Sequence, residues 1–178
     1  MSTAEVRRWR NRCDEARLAS WRDTANELRP HIEVPFRVNG WSRGAAEAYR
    51  NQWLTRERRV DWDWEEIFSR FRDPGALHVT IWGEGDQLCG IGVATMSKTT
   101  LFQHYLEARP GDDNSLGSQI ALIFNDVVDR YGQKMGRSET RCCPLNDEVA
   151  AHFRDNLGFN LVTPRKGAPY YVRSYEDD

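Results

Sequence analysis

The stretch Pro144-Leu145-Asn146-Asp147-Glu148-Val149-Ala150-Ala151-His152-Phe153-Arg154-Asp155-Asn156-Leu157-Gly158-Phe159 carries more of the fold than any other part of this 178-residue chain. It predicts a helix from Asp147 to Asn156, which Gly158 ends as an ordinary glycine stop. Phe159 then opens a terminal pair of strands near 159–163 and 169–175. Just upstream, Ser138 to Cys143 reads as a strand. Before it, Ile120, Ile123, Phe124, Val127, Val128, Tyr131 and Met135 keep the helical period, and Gly136 closes that helix.

Further toward the N-terminus the pattern changes to strands. Ala76 to Trp82 and Gln87 to Ser97 form a hairpin about the turn Gly83-Glu84-Gly85-Asp86. By alternation Cys89, Ile91 and Val93 share one side, and Leu88, Gly90 and Gly92 the other. Both sides are apolar or small, which predicts a central strand. Thr100 to Arg109 is a third strand, followed by the loop Pro110-Gly111-Asp112-Asp113-Asn114-Ser115-Leu116-Gly117-Ser118.

The first 75 residues are mainly helical. Residues 3–29 place Val6, Trp9, Cys13, Ala16, Ala25 and Leu28 at helical spacing, with Arg7, Arg8, Arg12 and Arg22 on the opposite face. His31 to Val38 is extended and, because Pro35 interrupts it, is an edge strand or a loop. Ser42 caps a helix running to about Arg59. Asp61 or Asp63 caps a short helix from Trp64 to Phe71, which Asp73-Pro74-Gly75 stops.

The order of hairpin, strand, glycine loop, helix, strand, helix ending in Leu157-Gly158-Phe159, and closing pair resembles the GNAT superfamily of N-acetyltransferases. The resemblance covers about Ala76 to Tyr175, and Pro144-Leu145-Asn146 with Leu157-Gly158-Phe159 is its most specific part. It implies an α/β (α+β) fold, a mixed and mainly antiparallel central sheet flanked by helices, with a helical N-terminal region. One domain is expected over 1–178, with 1–75 as an acceptor or partner region and 76–178 as an acyl-CoA-binding core.

The chemistry that follows from the resemblance is transfer from acetyl-CoA or another acyl-CoA, as co-substrate, to an amine of a small molecule or protein. The strand matching Thr100 to Arg109 is splayed from the strand matching Ser138 to Cys143, and the pantetheine arm lies between them. The pyrophosphate sits on amides of the loop and the first helical turn, an anion on a positive helix end. The implied cofactor residues are the backbone of Glu107, Ala108 and Arg109, with Asn114, Gly117, Ser118, Gln119 and Asn146. Glu107 or His104 would assist deprotonation of the amine. Simple alternation puts those two side chains on opposite faces, although a bulge, common in this strand of the family, would upset that parity.

The chain departs from the family in two places. Gln119 replaces a small residue in the loop, and Asp112 and Asp113 bring negative charge toward the phosphate position, unless they turn outward or cap the helix. Arg154 stands where many members have a Tyr that protonates the leaving thiolate. Arginine does not give up a proton at neutral pH, but its charge would stabilise a thiolate or bind the cofactor phosphate. His152 and Tyr131 are the substitutes at hand. These departures motivate an alternative, a catalytically inactive GNAT-like binding or regulatory protein.

Composition limits the other classes. The mean hydropathy is −0.74, but seven Trp, six Tyr and seven Phe argue for a folded, aromatic-rich core. The net charge of −2 supplies no overall field toward nucleic acid. Thirteen Arg against eight acids in residues 1–60 leave a local basic face, interrupted by Glu5, Asp14, Glu15 and Asp23, as the one feature suited to nucleic acid or an acidic partner. Acids gather instead at Asp61-Trp62-Asp63-Trp64-Glu65-Glu66 and Tyr175-Glu176-Asp177-Asp178. The first run would suit a cationic amine through charge and ring faces, or is simply the start of a capped helix. Cys13, Cys89, Cys142 and Cys143 form no metal-ligand spacing, so no metal is expected. No apolar run has the ~20 residues of a membrane helix and no signal-peptide core is present, so a reducing cytoplasmic location is expected. Nothing fixes the oligomeric state.

Overall fold

The computed structural model describes residues 1–175. Of the expected acidic run at the end of the chain, residues 176–178 lie outside the described residues. The elements in chain order are α1 (Thr3–Leu28), β1 (Arg37–Asn39), α2 (Arg43–Gln52), α3 (Trp64–Arg70), β2 (Leu77–Trp82), β3 (Leu88–Met96), β4 (Thr100–Ala108), α4 (Gln119–Lys134), β5 (Glu139–Cys142), α5 (Asp147–Leu157), β6 (Asn160–Val162) and β7 (Tyr170–Ser174). The strands form one sheet in the order β1-β2-β3-β4-β5-β7-β6. Only the β4–β5 pair is parallel; every other pair is antiparallel. The sheet is therefore mixed and mainly antiparallel, as expected.

α5 forms as its sequence dictates. The Asn146 side chain accepts from Val149 N–H at the helix start, and Gly158 ends the helix in the left-handed region at φ 70°. Phe159 N–H then bonds back to Phe153 C=O, and the two rings meet at 5.2 Å, closing a small cluster with Cys142 and Leu157.

The main core lies on the face covered by α1 and α4. Gly90 and Gly92 of β3 let α4 approach: a Cβ on Gly90 would fall 2.8 Å from Ile120 Cγ2, and one on Gly92 2.3 Å from the Phe124 ring. Ile123, Phe124, Val127 and Val128 bury completely there, each contributing about 1.5–3 kcal/mol. α1 begins with a reciprocal cap between Ser2 and Glu5, and its buried stripe of Cys13, Ala16, Ser20 and Thr24 is narrow enough for close packing. Thr24 Oγ1 donates to Asp126 of α4. Arg17 anchors α1 to the chain before β2, donating to the carbonyls of Pro74 and Ala76.

The other face is covered by α2 and α3, with Tyr49, Trp53, Trp64, Ile67 and Phe68 packed on Leu88, Ile91 and Val93. Two expectations change here. α2 stops at Gln52 rather than near Arg59, because Trp53 turns into the core and its indole N–H donates to Leu88 C=O at 2.8 Å. Leu88 shares a face with Ile91 and Val93 rather than with Gly90 and Gly92. The β2–β3 register shifts so that Ile81 faces Gly90 and Trp82 faces Leu88, leaving Cys89 as the extra residue of a bulge.

β1 is short and lies at the sheet edge. Residues 31–36 are not strand, so only Arg37 and Val38 of the expected extended segment enter the sheet, together with Asn39. Among the described residues no helix is long and apolar enough to cross a membrane.

Candidate functional site

β4 is the strand on which the site is built. Its pairing with β5 runs only from Thr100↔Glu139 to Gln103↔Cys142, after which the two strands part. On its other edge β4 stays paired to β3 as far as Ala108↔Gly90. The β5-facing edge from His104 to Ala108 therefore has no strand partner, and a fork opens there.

At the root of the fork sits a bulge. Val93 faces Tyr105 and Ala94 faces Gln103, so His104 is the additional residue. Gln103 points to the α4 face, where it donates to buried Asn125. His104, Tyr105 and Glu107 all point to the α2–α3 face. His104 and Glu107 thus share a face, against simple alternation, because the bulge inserts one residue between Gln103 and Tyr105. Arg109 N–H donates to Cys89 C=O, and alternation along an antiparallel ladder then turns Glu107 N–H toward β3 as well. Of the three backbone amides expected to serve the fork, Ala108 N–H faces it, and so does that of Leu106.

The His104 ring lies between Phe71 and Phe102, each at 4.8 Å, and its Nε2 is 2.6 Å from Thr95 Oγ1. Desolvation by these neighbours lowers its pKa below the ordinary histidine value, which favours the neutral imidazole. Tyr105 adds ring contacts with Trp62 at 4.9 Å and Phe71 at 6.1 Å.

Glu107 is placed differently. Arg58 Nε and Nη2 donate to its two carboxylate oxygens at 2.9 and 2.7 Å, and Trp64 Nε1 donates at 2.7 Å. Both ionic side chains are nearly enclosed, at 12% and 9% exposure. Arg58 is itself held by the Trp62 carbonyl and the Tyr49 hydroxyl, and its hydrogen bond to Glu107 raises its pKa further. The pair ties the segment after α2 to β4.

Of the acids around the start of α3, Asp63 caps the helix, Glu65 pairs with Arg50 and Glu66 with Arg70, while Asp61 is exposed with no partner among the described residues. The three engaged acids serve a capped helix rather than an open carboxylate patch.

The loop after β4 is held by side chains from three directions. Arg56 binds Asp113 and Pro110 C=O, Gln87 accepts from Ser115 and donates to Asp113 C=O, and Asn114 Nδ2 donates to Cys89 C=O. Asp113 is neutralised by Arg56 and Arg109, which lower its pKa, chiefly through the Arg56 hydrogen bond. Asp112 is exposed. Asn114 Oδ1 accepts from the amides of Leu116 and Gly117 at 3.1 and 3.2 Å, and Gly117 makes the turn at φ 44°. Among the described residues the Ser118 amide has no acceptor, while those of Gln119 and Ile120 bond back to Leu116 and Gly117. Gln119 opens α4 half-exposed.

Asn146 is engaged as the α5 cap. Arg154 is exposed and paired with Asp155. His152 bonds Asn156 on the same helix, and Tyr131 is buried under α1, where its hydroxyl donates to Gly75 C=O. Tyr131 is therefore removed from the fork. Among the described residues no three His, Cys, Asp or Glu side chains are grouped to hold a metal ion. The residues that sequence reading missed are Arg58, Thr95, Tyr105 and Gln87. The bulge and the early end of α2 brought them into the site, and neither has a local sequence signal.

No protein-family model and no curated protein matches the sequence. Solved structures do match by shape. The ribosomal-protein-S18-alanine N-acetyltransferase of Escherichia coli aligns with a TM-score of 0.54 at 14% identity, over 77% of this chain and 90% of that one. A GNAT-family acetyltransferase of Staphylococcus aureus Mu50 aligns at 0.57 and 12%, over 78% and 98%. The GNAT domain of S. lividans PAT aligns at 0.58 and 10%, over 79% and 90%. The chain has the GNAT fold.

Proposed function

We propose that the protein is an acyl-CoA-dependent N-acyltransferase, using acetyl-CoA or a related acyl-CoA on an amine of a small molecule or protein. The observation that carries this is the fork with a histidine bulge at its root. Leu106 and Ala108 offer backbone N–H groups along an open edge, where a donor's amide-bearing arm would pair and a thioester carbonyl would be polarised. His104, neutral and braced by Thr95, takes the amine proton as the nitrogen attacks the thioester carbonyl; the C–S bond then breaks, and the departing CoA thiolate takes up a proton from the imidazolium or from solvent. Glu107 has both oxygens engaged by Arg58 and Trp64, so we assign it the positioning of the acceptor wall rather than proton transfer.

At the loop, the Ser118 amide and the positive end of α4 suit a phosphate, and the Arg56 and Arg109 pairing removes the charge of Asp113 as an obstacle. Gly117, Asn114 and Gln119 would line that phosphate, with Arg154 a further cation on α5. Phe71, Phe102, Tyr105 and Trp62 surround the acceptor end while Asp63, Glu65 and Glu66 are already engaged, leaving Asp61 as the one unpaired acid of the run among the described residues. An amine with an apolar body therefore fits better there than a polycation. Residues 1–75 contribute Trp62 and Phe71 to that wall, and 76–178 the rest of it with the acyl-CoA core, in a protein suited to the cytoplasm.

A second reading keeps the fold without the reaction. Asn114 Oδ1 already takes two of the loop amides that a pyrophosphate would use, as expected of a regulatory or binding protein. Calorimetry with acetyl-CoA and CoA separates the two. An enzyme binds at low micromolar Kd and loses binding in Gly117→Glu. The absence of binding at high micromolar concentration leaves the scaffold.

A further inference from the structure

A cleft of about 380 Å³ lies on the β1–β2 side of the sheet, between α1, the turn after β1 and the segment leading into β2. One flank of α1 lines it, because Arg10, Asp14, Arg17 and Trp21 recur at helical spacing. Its geometry is fixed by the fold. Arg17 reaches across to the carbonyls of Pro74 and Ala76 and also binds Asp14, so all three of its nitrogens are engaged. The Trp21 ring rests on Gly40, where a Cβ would stand 2.8 Å from Cη2. Asp73 accepts from Gly75 N–H.

Two of the cleft's cations are left without a partner. Arg10 and Arg72 have no carboxylate or carbonyl partner among the described residues, in a protein where most other arginines are paired. The Trp21 indole N–H is buried without an acceptor. Asp14 and Asp73 each keep one carboxylate oxygen without a partner among the described residues, but the charged side chains left wholly unpaired are two guanidinium donors, so the complementary ligand is an anionic acceptor. Three guanidinium groups against two carboxylates leave one positive charge. His78 adds none at neutral pH, since burial lowers its pKa by more than the Nε2 hydrogen bond to Phe71 C=O raises it. One net charge matches a monoanion better than a dianion, and two planar guanidinium groups suit a carboxylate. The Trp21 and Trp41 rings supply apolar wall for the rest of the molecule.

We propose that this cleft binds a small organic monocarboxylate with an apolar or aromatic body, gripped by Arg10 and Arg72. The site is independent of the fork and of any transferase activity.

The test titrates the full-length protein with phenylacetate, reading tryptophan fluorescence and thermal midpoint. Phenylacetamide and inorganic phosphate are run in parallel. The expected result is saturable binding of phenylacetate, none of phenylacetamide, and at least about a tenfold loss of affinity in Arg10→Gln with Arg72→Gln. Both side chains are exposed and unpaired among the described residues, so the double variant keeps the wild-type melting point in the absence of ligand. Three results overturn the proposal: no saturable change up to millimolar phenylacetate, binding that survives the double variant (which would place it at the rings around His104), or phosphate binding as tightly as phenylacetate.

Discussion

Thr100 to Gln103 of β4 is hydrogen-bonded on both edges, whereas His104 to Ala108 is bonded only to β3. The two halves belong to one nine-residue strand and differ in what their side chains answer to. In the closed half, Leu101 and Gln103 face α4, and Gln103 spends its amide on buried Asn125. In the open half, His104 keeps a ring nitrogen free of any carboxylate, and the neighbouring backbone retains donors that no strand uses. A sheet closed on both edges maximises stability and leaves nothing to bind with. Parting the strands over five residues trades ladder bonds for a place where a ligand can complete the sheet.

The sharpest way to break this contrast is His104→Gln. Under the proposed reaction it lowers kcat/KM about a thousandfold while moving the melting point little, because His104 lies outside the regular ladder. In the unaltered enzyme the acid limb of kcat/KM should fall below the ordinary histidine pKa of about 6.5. The active form is the neutral one and desolvation lowers the pKa, so activity is kept to lower pH before it is lost. An acid limb above pH 7, or one that persists in His104→Gln, would move the base elsewhere.

Glu107→Ala comes next, with a loss of about 3 kcal/mol because it strands the enclosed Arg58 charge. Calorimetric melting would show this as a fall of roughly 6–12 °C. Replacing both partners by apolar residues should recover most of it, which marks the pair as a tie rather than a proton carrier. Gln103→Ala is the smallest: about 1–2 kcal/mol from the Asn125 bond, with turnover unchanged. A large loss of turnover in Gln103→Ala with an intact melting point would mean that the closed half also takes part in the chemistry.

The parts that were legible in the sequence are those governed by local rules. The period of Ile120 to Met135, the stop at Gly158 and the hairpin around Gly83–Asp86 each fix an element without reference to the rest of the chain. The site was half-legible. His104 and Glu107 stand out by residue type, but their faces depend on one extra residue, and a period-two pattern cannot register a bulge. The bulge at Cys89 shifted Leu88 in the same way. The Arg58–Glu107 contact spans 49 residues, and it exists because Trp53 leaves α2 early to bury its indole. That choice belongs to the packed core, and no propensity along 43–59 announces it.

The bulge has one more consequence, for the strand's history rather than its chemistry. Tyr105, Leu106 and Glu107 occupy the faces they would have in an uninterrupted strand running on from Gln103. His104 is a guest in an otherwise regular ladder. A single codon gained or lost at that position adds or removes the imidazole and leaves the inward and outward sets of side chains in place. Under the proposed reaction, the base is therefore gained or lost by one in-frame insertion or deletion, with the faces of the neighbouring side chains unchanged.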